Sequence, residues 1–182
     1  MLQYSRERQV ETLNIRKAEP ADREALLALF AEARGTIAAL GIDQWQDGYP
    51  DRETVERDIA LGQSRAAEID GEIAGTFALI ADGEPTYDRI EDGHWLTGDD
   101  NRRYLAVHRV AVAVKYRGSG VSKAIMTCAE ESARGLGLSS VRIDTHEGNA
   151  VMRRMLEKNG FAACGIIHLA NGDRRVAYEK II

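Results

Sequence analysis

The sequence predicts a mixed α/β (α+β) fold, one sheet with helices on both faces. Three observations predict it. Tyr104–Val114 is nearly continuous in apolar residues after His108 and Arg109, as a strand buried on both faces would be. A glycine-bearing turn, a helix to about Leu136 and the strand Ser140–Thr145 follow it, and that order makes a right-handed crossover between parallel strands. Asp70-Gly71 and Asn171-Gly172 each sit between strand-like runs, so two hairpins add antiparallel pairs.

Each element has its own signal. Residues 1–12 are polar and charged and read as an N-terminal arm, ahead of a single domain over 13–182. Leu13–Ala18 alternates apolar and polar, as a half-buried strand does. Pro20 suits a first helical position, and Leu26, Leu27, Phe30, Ala33, Ile37 and Leu40 recur at helical spacing up to Gly41. Gly35 inside this helix marks a possible bend. Asp51 caps a second helix, Arg52–Leu61, closed by Gly62. Arg65–Asp70 and Glu72–Ala81 form the first hairpin. Asp82–Arg103 is rich in acids and long for a passive turn, so it reads as a functional lid or a mobile insertion. After the crossover come a helix over Asn149–Lys158, stopped by Asn159-Gly160, and the hairpin Phe161–Leu169 with Arg174–Ile181.

Composition narrows the function. The chain has 182 residues, 44% hydrophobic and 29% charged, enough to bury a core without disulfide or metal. A formal net charge of −5 with no dense Lys/Arg block argues against nucleic acid or an anionic membrane as partner. It fits a small cationic or amine substrate. Cys128 and Cys164 form no CxxC pair and read as core thiols in a reducing, cytoplasmic setting. No metal site is expected.

The stretch Val110–Ala124, VAVAVKYRGSGVSKA, carries the chemistry. A glycine turn feeding a helix aims backbone N–H groups at one point, at the positive end of the helix dipole, which suits a phosphate. A Walker A loop would need GxxxxGK[ST], which is lacking. A dinucleotide fingerprint would need a small residue where Lys123 stands. The coenzyme A pyrophosphate turn, RxxGx[GA], reads here as Arg117-Gly118-Ser119-Gly120-Val121-Ser122. A plain tight turn is the remaining alternative.

With that turn in place, the chain resembles the Gcn5-related N-acetyltransferase (GNAT) superfamily from about Leu13 to Ile182. The resemblance rests on VAVAVKYRGSGVSKAIM, on RIDTHEGNAVMRRMLEKNGF and, more weakly, on LNIRKAEPADREALLALF. It extends to bacterial members of unassigned substrate that carry GIDQW and PTYD stretches, here Gly41–Trp45 and Pro85–Asp88. It implies a mostly antiparallel central sheet of about seven strands, with a splay between the fourth and fifth. It implies acetyl-CoA as cosubstrate and transfer of its acetyl group to a primary amine of a small molecule or peptide, by direct attack with general-base assistance. The cofactor-binding residues it implies are Val110, Ala111 and Val112 through their backbone, Gly118, Ser119, Gly120, Val121, Ser122 and Lys123 through their N–H groups, Arg117 by charge, and Asn149, which is also a natural helix N-cap.

The candidate bases are His108 and Asp144. Strict alternation puts His108 on the same strand face as Val110 and Val112. Its plainer role is a core histidine. Asp144 stands five residues before Asn149, and its plainer role is a partner for Arg142 or Arg109. Substrate contacts are expected from Trp45, Tyr87 and Trp95, with Gln46, Tyr49, His94 and His168 as further candidates. Ser122 replaces the family's usual Gly or Ala. Leu156 stands where many relatives place the tyrosine that protonates the leaving thiolate, leaving Tyr87, Tyr104, Tyr178 or solvent. That absence is the support for an alternative, a non-catalytic acyl-CoA-binding or regulatory module. Acetylation of a protein N-terminus or lysine is a third reading. A monomer or homodimer is expected.

Overall fold

The computed structural model describes residues 12–182, so nearly all of the expected N-terminal arm over 1–12 lies outside the described residues. The strands are β1 (Leu13–Lys17), β2 (Ser64–Ile69), β3 (Glu72–Ile80), β4 (Tyr104–Val112), β5 (Ser140–Thr145), β6 (Ala162–His168) and β7 (Arg174–Ile181). They form a single sheet in the order β1-β2-β3-β4-β5-β7-β6. Every neighbouring pair is antiparallel except β4 with β5, the pair joined by the crossover. The helices are α1 (Arg23–Ala39), α2 (Arg52–Ala60), α3 (Val121–Gly135) and α4 (Ala150–Lys158). Gly35 does not interrupt α1.

The two faces are covered differently. On one, Val121, Ile125, Met126 and Ala129 of α3 and Leu156 of α4 pack on Leu105, Val107, Val141 and Ile143. On the other, Leu26, Leu29 and Phe30 of α1 and Val55 of α2 pack on Ala111 and Ala113. Beside them, the connection from β3 to β4 supplies Tyr87 and Trp95, which pack on Tyr104, Ala106, Ile167 and Ala177.

That connection is not a lid or a mobile insertion. Glu91 and Ile166 exchange backbone hydrogen bonds of 2.8 Å each, and His94 N donates to Cys164 O at 2.9 Å. At Gly93 a side chain is impossible, since a Cβ would stand 1.9 Å from Cys164 O. The acids that dominate its sequence hide the apolar anchors that hold it to the sheet.

A charged network is buried beneath it. Arg142 Nε donates to Glu179 Oε1 at 2.9 Å, with both side chains essentially inaccessible. The guanidinium lies 4.1 Å from the Trp95 ring centroid and 4.2 Å from that of Tyr104. Burial would raise the Glu179 carboxyl, but hydrogen bonds from Ser140, Thr97 and Arg142 overcome it and hold the carboxyl below its usual value. Removing one partner strands the other's charge. Glu179→Ala is therefore expected to cost about 3–5 kcal/mol in denaturant unfolding. A loss under about 1 kcal/mol, as for an exposed pair, would show the network to be dispensable.

Two irregularities in β4 position the site. First, β4 pairs with β5 only over Tyr104–Ala106, against Ser140–Arg142. Beyond that the strands splay, and among the described residues the β5-facing edge of Val107–Val112 has no strand partner. Second, β4 carries a bulge against β3. Ala78 faces His108 and Thr76 faces Ala111, so Phe77 stands opposite both Arg109 and Val110. Arg109 takes up the extra residue at φ +55. The bulge corrects the expected alternation: Val110 and Val112 pack with the α3 face, while Ala111 packs with α1. His108, like Tyr104 and Ala106 before it, is on the α1 side.

Candidate active site

A cavity of about 610 Å³ occupies the splay. Val107, Val110, Ile143, Asn149 and Met152 line it from the α3–α4 side. His108, Asp144, Glu84, Thr86, Trp45 and Tyr49 line it from the α1–α2 side. The cavity thus passes through the sheet. The loop between α1 and α2 and the β6–β7 turn, with Leu169, Asn171 and Asp173, wall the α1–α2 end.

His108 is nearly enclosed. Its Nε2 lies 3.1 Å from Glu84 Oε2, an ion-pair contact without full hydrogen-bond alignment. Glu84 Oε1 accepts from Thr86 N at 3.1 Å and Thr86 Oγ1 at 2.9 Å. Burial would raise the Glu84 carboxyl, yet His108 and Thr86 outweigh it and hold the carboxyl at about 2. The Tyr87 ring stacks on the imidazole, 5.9 Å between centroids with 27° between planes.

Among the described residues, Asp144 is paired with no arginine. Its Oδ1 accepts the Tyr87 hydroxyl at 2.7 Å. Burial, then the Asp144 charge, push the Tyr87 phenol well above its usual range. One short 3-10 turn, Pro85–Tyr87, with Glu84 just before it, therefore touches both candidate bases. Nothing in the local sequence signals this, because Glu84 and His108 are 24 residues apart.

The substrate candidates divide. Trp45 lines the cavity at φ +67, edge-on to Phe30 at 5.9 Å and to Tyr49 at 6.4 Å. Tyr49 also lines it, its hydroxyl accepting from Arg109 Nη1 at 2.8 Å. Arg109 is anchored behind by Asp58, Nε to Oδ2 2.6 Å. Tyr87 and Trp95 are each 1% exposed and do not line the cavity. Trp95 is packed under the sheet, its Nε1 donating to Tyr87 O at 3.0 Å, so it supports Tyr87 and has no surface for a substrate. Gln46, His94 and His168 also lie outside the cavity lining.

The tyrosines considered as thiolate acids do not reach the cavity either. The Tyr87 hydroxyl is on Asp144, that of Tyr104 accepts from Glu84 N at 2.9 Å, and that of Tyr178 accepts from Arg153 Nε at 3.1 Å. Leu156 is fully buried core. Tyr49 is the phenol at the cavity wall.

The phosphate turn stands at the far end of β4, outside the cavity lining. Gly118 (φ +82) and Gly120 (φ +93) adopt left-handed conformations that a side chain disfavours. Gly120 is the N-cap of α3. Among the described residues, the N–H groups of Gly118, Gly120, Val121, Ser122 and Lys123 have no protein acceptor, whereas Ser119 N donates to Tyr116 O at 3.2 Å. Arg117 Nη2 donates to Thr36 Oγ1 at 3.0 Å, and Lys123 is exposed. Asn149 caps α4, its Oδ1 accepting from Met152 N at 3.1 Å, and lines the cavity. Among the described residues, no group of His, Cys, Asp and Glu could hold a metal ion and no helix is long and apolar enough to cross a membrane.

Comparison with known proteins gives the fold and the family. The streptothricin acetyltransferase of Streptomyces lavendulae is 27% identical over 167 residues, 85% of this chain and 84% of that protein. The crystal structure of a GNAT family acetyltransferase from Streptococcus agalactiae superposes with a TM-score of 0.84 at 38% identity, covering 93% of this chain and 95% of that one. A PaiA N-acetyltransferase from Thermoplasma acidophilum, solved in complex with coenzyme A, shares the fold at a TM-score of 0.69 and 19% identity, over 94% of this chain and 99% of that one. The model of the acetyltransferase (GNAT) family matches residues 25–161, and the chain belongs to that family.

Proposed function

We propose that the protein is an acetyl-CoA-dependent N-acetyltransferase acting on a primary amine of a small molecule or peptide. The observation that carries this reading is the splay itself: a cavity through the sheet, with an unpaired strand edge on one side and His108 and Asp144 on the other. The acceptor-free N–H groups of the turn and the unpaired edge of β4 fit coenzyme A. Gly118 and Gly120–Lys123 would hold its pyrophosphate, with charge from Arg117 and Lys123. The backbone of Val110, Ala111 and Val112, with Asn149, would hold the pantetheine arm. Bound acetyl-CoA supplies the acetyl group as a thioester.

The protein's own task is to receive a proton. An amine is ammonium near neutral pH and cannot attack until it loses one. His108 is the acceptor, at the cavity wall and backed by Glu84. Asp144, already holding the Tyr87 hydroxyl, orients that wall and is the second candidate. With Leu156 in the core, reprotonation of the thiol is left to solvent, because a thiolate leaves without an obligatory acid.

Charge in the cavity selects the acceptor. Asp43, Asp47, Glu84, Asp144 and Asp173 line it, against His108, Arg109 and Arg175. Arg109 is already matched by Asp58, and Arg175 by Asp173 at 3.2 Å. The surplus is negative and favours a cationic amine. The walls raised by the α1–α2 loop and the β6–β7 turn favour a small molecule over a protein surface. The test is a screen of amines, amino acids and polyamines with thiol release as readout. Cationic amines should exceed neutral ones of equal size by about tenfold in kcat/KM. If acetyl-CoA binds and no amine accelerates thiol release, the non-catalytic acyl-CoA-binding reading replaces this one.

A further inference from the structure

We propose that Glu84 holds neutral His108 as its Nε2–H tautomer, so that Nδ1 is the ring atom that takes the acceptor's proton. This rests on the reading of His108 as proton acceptor.

The geometry leaves one arrangement. Nε2 is shut off from solvent and stands 3.1 Å from Glu84 Oε2. The other carboxylate oxygen is occupied by Thr86 N and Oγ1, and the backbone N of Glu84 donates to the Tyr104 hydroxyl. Oε2 is thus presented to the imidazole by a carboxylate held by two hydrogen bonds, on a backbone held by a third. A carboxylate held ionised only accepts hydrogen bonds, so the proton between the two groups belongs to Nε2. The ring cannot simply turn away. Tyr87 stacks on its face, and Tyr87 is itself tied to Asp144.

In a neutral imidazole one nitrogen carries the proton and the other the lone pair. With Nε2 protonated and buried, the lone pair is on Nδ1, which has no protein partner among the described residues, while the ring lines the cavity. In the step itself one N–H bond of the acceptor ammonium breaks and an Nδ1–H bond forms. The electron pair stays on the acceptor nitrogen. The imidazolium then carries its positive charge against Glu84, with Asp144 on β5 and Asp58 behind Arg109 as the further anions nearby. Glu84 is by this argument a positioning residue. Whatever charge it also lends the cavity, it decides which atom of His108 is basic.

The tautomer can be read directly, without knowledge of the acceptor. The full chain is labelled with 15N in its imidazoles, and the His108 signals are identified by their loss in His108→Ala. The wild type is expected to show Nδ1 as the unprotonated, downfield nitrogen and Nε2 as the protonated one. In Glu84→Leu the two forms should mix and kcat should fall about tenfold or more. In Glu84→Gln the amide oxygen still accepts from Nε2–H, so the tautomer should be kept and kcat should exceed that of Glu84→Leu. A protonated Nδ1 in the wild type overturns the proposal, even if Glu84→Leu fails to fold. An unchanged His108 spectrum in a folded Glu84→Leu overturns it as well. Undiminished kcat in His108→Ala would instead overturn the base role beneath the proposal, and the wild-type spectrum tells the two failures apart.

Discussion

His108→Ala is expected to bind acetyl-CoA as the wild type does and to turn over about 10²–10⁴-fold more slowly. The two effects separate because of where the side chain points. The bulge at Arg109 puts His108 on the α1–α2 side of the sheet, while Val110 and Val112 pack toward α3. Truncating the imidazole leaves the unpaired strand edge and the phosphate turn as they are. Isothermal titration with acetyl-CoA checks the first half and initial rates check the second. A wild-type kcat/KM profile flat between about pH 6 and 9 would sink the base role.

Gly120→Glu is expected to abolish coenzyme binding, weakening it about 100-fold or more. Backbone strain is the smaller part. Gly120 sits at φ +93, and any side chain there costs about 1–2 kcal/mol. An added Cβ meets no protein atom within 4 Å, so the side chain would not disturb the core. It would instead bring a carboxylate to the acceptor-free N–H groups of Gly118 and Val121–Lys123, where the proposed pyrophosphate would sit. Gly120→Ala separates the causes, because it keeps the strain without the charge and should retain measurable binding. Calorimetric binding of acetyl-CoA by a folded Gly120→Glu would show that the turn is not the anchoring site.

Much of the fold was legible because its punctuation is local. Asp70-Gly71, Asp51, Gly62, Asn159-Gly160 and Asn171-Gly172 each mark a boundary through their own backbone preferences, and the elements end within about three residues of those marks. The crossover from β4 through α3 to β5 follows from handedness alone. The bulge was not legible. Val107–Val112 holds no glycine or proline to mark an irregularity, and the extra residue shows only in its pairing with β3 and in the positive φ of Arg109. The connection from β3 to β4 misled for a related reason. Its acids are conspicuous in sequence, while Tyr87, Ile90 and Trp95, which seat it, recur at no regular interval. Once seated, it delivers Glu84 to His108 and Tyr87 to Asp144, contacts that no spacing rule reaches. Trp95 shows the opposite error, an aromatic in a loop that turns out to be a packing anchor.

The added residue at Arg109 has a consequence for how this strand tolerates change. Side chains on either side of it are, in effect, written in opposite phase. Substitutions upstream alter what meets the acceptor, and substitutions downstream alter what meets the coenzyme, so the two can drift separately. At the bulge itself, length can drift by one residue. Losing Arg109 would leave His108 and Ala111 two residues apart, as regular alternation requires of one face, so both would stay on the α1 side, and what would go is the guanidinium held by Asp58 and Tyr49. At that point of the strand the identity of the residue is guarded more closely than the count.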